Sequence, residues 1–82
     1  MITKDTVKSI NNINDFLSFI KLLEQDFTAN RKQWENGTID EYFEAIHACI
    51  EDNLHHGYLF EKENELKWSE IAGIFWMGKY YE

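Results

Sequence analysis

The segment "HACIEDNLHH", residues 47 to 56, gathers side chains able to ligate metals or move protons: His47, Cys49, Asp52, His55 and His56. Their spacing limits what they can do together. On a helix, His47 and Cys49 point about 160° apart, so one ion cannot take both. Asp52 with His55 or His56 has helical spacing for a weak ion site, although a solvated helix end accounts for the same residues. Cys49 falls among apolar positions, where a small core residue is a simpler account than a nucleophile, which needs exposure and a lowered pKa. The carboxylate pairs Asp40/Glu44 and Glu51/Asp52 have no evident cleft. The chain contains no glycine-rich phosphate loop and no serine-centred motif. The expectation is a protein that is not an enzyme and uses no metal or cofactor.

Charge is the stronger signal. Residues 35 to 65 hold Glu35, Asp40, Glu41, Glu44, Glu51, Asp52, Glu61, Glu63 and Glu65 against Lys62 alone, a balance of −8. The formal net charge of the chain is −7, so the remainder sums to +1. Nucleic-acid affinity comes largely from lysine and arginine on phosphates, and Arg31 with Lys32 is too small a patch to supply it. An acidic surface can instead steer a basic protein partner. A solvated face that keeps the protein soluble is the plainer account of the same residues.

Eighty-two residues suit one domain, 1–82, burying roughly 60–65% of the surface of its unfolded chain. Cys49 is the only cysteine, which excludes an internal disulfide and fits a reducing compartment. The first residues, "MITKDTVKSI", lack the apolar stretch of a secretory signal. No apolar run approaches the ~20 residues that cross a bilayer. The expected setting is therefore cytoplasmic, with no membrane contact. Three Trp, four Tyr and six Phe supply large buried areas to a small core.

The elements that must position these residues read as helices. The first main helix, about 15–30, has Asn14 as its expected N-cap and an apolar face of Phe16, Phe19, Ile20, Leu23 and Phe27. Leu17 and Leu22 flank that face, which predicts cover on more than one side. The second, about 38–54, opens with a capping box, Thr38 and Glu41. Asn36-Gly37 before it is suited to positive φ and a sharp turn. Ile39, Tyr42, Phe43, Ile46, Cys49, Ile50 and Asn53 share one face of this helix, with the acidic residues opposite. The third, about 67–81, is apolar nearly all round, so either the N-terminal segment wraps it or another chain covers part of it. Gly73 and Gly78 in that region suggest close helix approach. Ile2, Val7, Ile10 and Ile13 predict a short helix or an extended segment laid on the core. The expected fold is a small all-α bundle; the alternative is α+β, with a hairpin in 57–67 around Tyr58, Leu59 and Phe60.

"WENGTIDEYFEAIHACIED" followed by "WSEIAGIFWMGKYYE" resembles a small, uncharacterised bacterial domain family with a W-E-N-x-T corner, a Y-x-E-A helix and a C-terminal W-x-x-x-A helix closing on K-x-Y-E. The resemblance runs from about Asp15 to Glu82. It rests on Trp34, Glu35, Asn36, Thr38, Tyr42, Glu44, Ala45, Asp52, Trp68, Ala72, Lys79, Tyr81 and Glu82. Cys49 stands where the family pattern implies tryptophan and Gly78 where it implies alanine, and both bear on packing between the second and third helices. The resemblance implies a helical domain and no established activity.

Two functions fit these features. The first is a protein-binding module, of immunity or regulatory type, that presents its acidic face to a basic partner. The second is a structural domain that forms a homodimer through its C-terminal helix. The candidate partner-binding residues are Asp40, Glu44, Glu51 and Asp52 on the second helix and Trp76, Met77 and Tyr80 on the third.

Overall fold

The structure is a computed structural model that describes residues 2–57, 60, 62 and 64–81. It contains helices α1 (Lys4–Lys8), α2 (Ile13–Ala29), α3 (Ile39–His56) and α4 (Trp68–Met77), with a 3₁₀ turn at Arg31–Gln33 between α2 and α3. No strand occurs among the described residues, so the bundle is all-α. Of the hairpin alternative in 57–67, residues 58, 59, 61 and 63 lie outside the described residues, and the described ones form no strand.

Local chemistry sets the helix starts. Thr3 caps α1 and exchanges side-chain bonds with Thr6. The side chain of Asn12 accepts from the Asp15 N–H and starts α2 two residues earlier than an Asn14 cap would. Thr38 and Glu41 form the expected capping box at α3. That helix ends at Gly57, whose φ of +69° is the left-handed geometry glycine adopts at low cost. The third main helix stops at Met77 rather than 81, because the chain tightens into a turn over 78–80.

α4 is the centre of the molecule. α1, α2 and α3 each pack against it, and α2 and α3 make little contact with one another. An apolar helix is thereby contacted by three others, with the N-terminal segment against one side; its Ala72, Gly73 and Ile74 are buried and its remaining residues half-buried. Ile2, Val7 and Ile10 from that segment join Phe19, Leu23 and Ala72 in the core. Phe16 links the layers through Trp68 at 5.5 Å and an edge-on contact with Phe75 at 5.6 Å.

The faces expected to be buried are only half covered. Leu17 is 69% exposed, and Ile13, Ile20 and Leu22 are also exposed, so α2 is not covered on two sides. On α3 the buried positions are Ala45, Cys49 and Asn53, while Ile39 is 73% and Phe43 61% exposed. The cause is that α3 rolls its Tyr42–Cys49–Asn53 seam onto α4 and leaves the adjoining apolar strip without a helix opposite it.

Candidate functional site

A buried polar cluster locks the corner between α2 and α3 to the end of the chain. Asp26 and Lys79 are both buried and pair at 2.8 Å. The same carboxylate accepts from the Trp34 indole Nε1–H at 2.9 Å and the Asn30 side-chain amide at 3.1 Å. Burial pushes the Asp26 carboxyl up, but the bonds from Lys79, Trp34 and Asn30 outweigh it and hold the group below the ordinary carboxylate value. Burial likewise pulls Lys79 down, and the bond to Asp26 reverses that and leaves it raised. Asn36 closes the cluster: its side-chain amide donates to the carbonyls of Gly78 and Tyr81 at 3.0 and 2.9 Å. Neither Asn36 nor Gly37 takes a positive φ. The corner is made by the 3₁₀ turn and these long-range bonds instead of by a tight Asn-Gly turn.

Tyr42 secures α3 to α4. Its hydroxyl donates to the Phe75 carbonyl at 2.7 Å, and burial pushes its pKa up to about 12. Gly78 makes this approach possible, since a Cβ there would lie 2.6 Å from the Tyr42 ring. The close helix approach suggested by the sequence is therefore met at Gly78.

Beside this framework lies an open apolar groove of about 530 Å³. Ile20, Leu23 and Phe27 of α2 form one wall, Ile39 and Tyr42 of α3 the other, and Trp34 and Phe75 line it between them. Trp34 packs edge-on to Phe27 at 5.0 Å and near Tyr42 at 5.9 Å. It is thus an anchor under the corner and part of the groove surface. Arg31 lies over the Phe27 ring at 4.5 Å.

The expected partner-binding residues separate into three environments. Asp40, Glu44 and Glu51 are exposed and fall within about 40° of one another around α3, next to the Ile39–Phe43–Leu54 strip. Asp52 is on another side, half-buried, and accepts from the Tyr81 hydroxyl. Glu41 is engaged in the capping box. Trp76 and Met77 are half-buried and line a cleft shared with α1, whereas Tyr80 is exposed and edge-on to Trp76.

The chemical side chains are dispersed. Cys49 is fully buried, and burial, with Asp52 adding to it, pushes its thiol pKa up, the opposite of an activated nucleophile. His47, His55 and His56 are exposed. Among the described residues no three His, Cys, Asp or Glu side chains come together as a metal site. Nor, among them, is any helix long and apolar enough to cross a membrane.

Sequence reasoning missed the Asp26–Lys79 pair and the exposure of Ile39 and Phe43. Asp26 did carry a signal: it lies three residues after Leu23 and seven after Phe19, on the same side of α2. A carboxylate there calls for a buried partner.

Trp34, Asn36, Thr38, Tyr42, Asp52, Lys79 and Tyr81, seven of the residues carrying the sequence resemblance, all take part in the contacts that join corner, α3 and C-terminal turn. No curated protein and no solved structure matches the chain. A family model covers residues 12–82, which contain the whole of this framework, and the chain belongs to that family, the Family of unknown function (DUF7660).

Proposed function

We propose that this protein is a non-enzymatic protein-binding module, of immunity or regulatory type, that meets a basic partner through the outer side of α3. One observation carries the reading: Asp40, Glu44 and Glu51 form an exposed line along a helix that contains no lysine or arginine. No ion pair reaches them among the described residues. The acidic line borders exposed apolar residues, a combination of charge steering with apolar contact area that suits protein recognition.

The test is affinity purification from the source cell, with the triple variant Asp40→Lys/Glu44→Lys/Glu51→Lys run in parallel. The expected result is a basic protein retained by the native chain, released as salt rises, and absent from the variant eluate. Exposed charges screened over about 10 Å at 0.1 M salt give that dependence. If every co-purifying protein is recovered equally with the variant, the acidic line is not the binding surface.

A further inference from the structure

We propose that the groove between α2 and α3 is a seat for an amphipathic helix whose apolar side enters the groove and whose flank carries lysine or arginine. The proposal rests on the protein-binding reading above and names the shape and chemistry of the partner segment.

The apolar residues around the groove are contiguous. Leu17 and Ile20 are neighbours on α2, and Ile39 and Phe43 are one turn apart on α3, all four exposed. Ile20 and Ile39 line the groove, and Leu17 and Phe43 adjoin them on the outer side of each wall, an apolar exposure beyond the scattered kind normal for a surface. The walls are helices with their backbone bonds already made, and no strand edge exists among the described residues. A bound segment must be recognised through its side chains, as a helix laid in a groove is, and not by backbone pairing.

Charge selects the occupant. On the α2 side Lys21 and Glu24 neutralise each other at 2.7 Å, and Arg31, which lines the groove over the Phe27 ring, keeps a positive charge that disfavours basic residues on that wall. On the α3 side Asp40, Glu44 and Glu51 run beside the apolar strip without a counter-charge among the described residues. A helix seated here gains by carrying basic residues along the α3 side of its apolar anchors. A second copy of the chain, with net charge −7, would bring like charge to the same place.

The experiment uses the full chain, isotopically labelled, and three synthetic peptides of about 15 residues, roughly 22 Å as a helix. One contains leucine and lysine with leucines at i, i+3, i+4 and i+7; the second replaces lysine by glutamate; the third shuffles the first to abolish its apolar face. The expected result is saturable binding of the first peptide only. NMR shift changes should centre on Leu17 to Phe27, the Trp34 indole N–H and Ile39 to Phe43. Ile39→Glu should weaken this binding about tenfold or more at an unchanged melting temperature. Phe43→Glu serves as a second exposed variant should the first disturb the fold.

Several results overturn the proposal. Equal binding of the shuffled peptide, or full affinity in Ile39→Glu and Phe43→Glu, means charge attraction without the groove, and the acidic-face reading survives alone. Equal binding of the glutamate peptide removes the charge argument. Loss of peptide binding in the groove variants but not in the Asp40/Glu44/Glu51 triple variant removes the acidic face from recognition. The same shifts on concentrating the protein without peptide mean that a second copy occupies the groove. Absence of saturable binding by any peptide rejects a helix seat outright.

Discussion

On α2, Asp26 lies three residues from Leu23 and seven from Phe19, inside a buried stripe. Its charge is supported by Lys79, the Trp34 indole and the Asn30 amide. Removing the carboxylate strands a buried ammonium, which costs far more than loss of an exposed pair. Asp26→Ala is expected to lower stability by about 3–5 kcal/mol in a urea titration. Lys21→Ala, which breaks a fully exposed pair, should leave the urea midpoint essentially unchanged. Asn36→Ala leaves two C-terminal carbonyls without their side-chain donor and should cost about 1–3 kcal/mol. These three values, measured together, separate the buried framework from surface charge. Of these residues, Asn36 was legible as part of a corner motif; its partners, 42 and 45 positions away, were not.

Among the elements, the helices themselves were readable because their signals are local. The Thr38–Glu41 capping box is a short-range feature, and it is present. The degree of cover on each helix was not readable. Periodicity shows that Ile39 and Phe43 share a face with Cys49, yet whether another helix lies over that face is decided by how α3 rolls on α4. The α3–α4 contact depends on Gly78, and a methyl group there would meet Tyr42 at 2.6 Å. Gly78→Ala is expected to cost about 1–3 kcal/mol through overpacking. It should also disturb the Tyr42–Phe75 hydrogen bond, visible in the near-ultraviolet dichroism of the tyrosine. Ile39→Glu, by contrast, lies on the open strip and should stay within about 0.5 kcal/mol of the native stability.

At the scale of the molecule, three helices around α4 tie the titrating groups to folding. Asp26 has a depressed folded pKa, so its contribution is present above the ordinary carboxylate value of about 3.9 and is lost as pH falls through the folded value. Lys79 and Tyr42 have raised folded pKa values, so their contributions are full below about pH 10 and disappear as pH rises through those values, about 12 for Tyr42. Denaturant titrations across pH should therefore show a plateau between about pH 5 and 9 with a decline on each side. Asp26→Asn should flatten the acid limb; an acid limb unchanged in that variant would assign the decline to other carboxylates. By itself, the sequence determined the helical class, the start of α3 and the concentration of negative charge, because each depends on residues within a few turns or on composition alone. Only the tertiary structure decided that α4 takes contacts from all three other helices, that Asp52 is tied to Tyr81 while Asp40, Glu44 and Glu51 stay in line, and that a groove lies open beside them. Those outcomes depend on the relative rotation of helices joined at a corner, which is fixed by contacts such as Asp26–Lys79 and Asn36–Tyr81 between residues far apart in the chain.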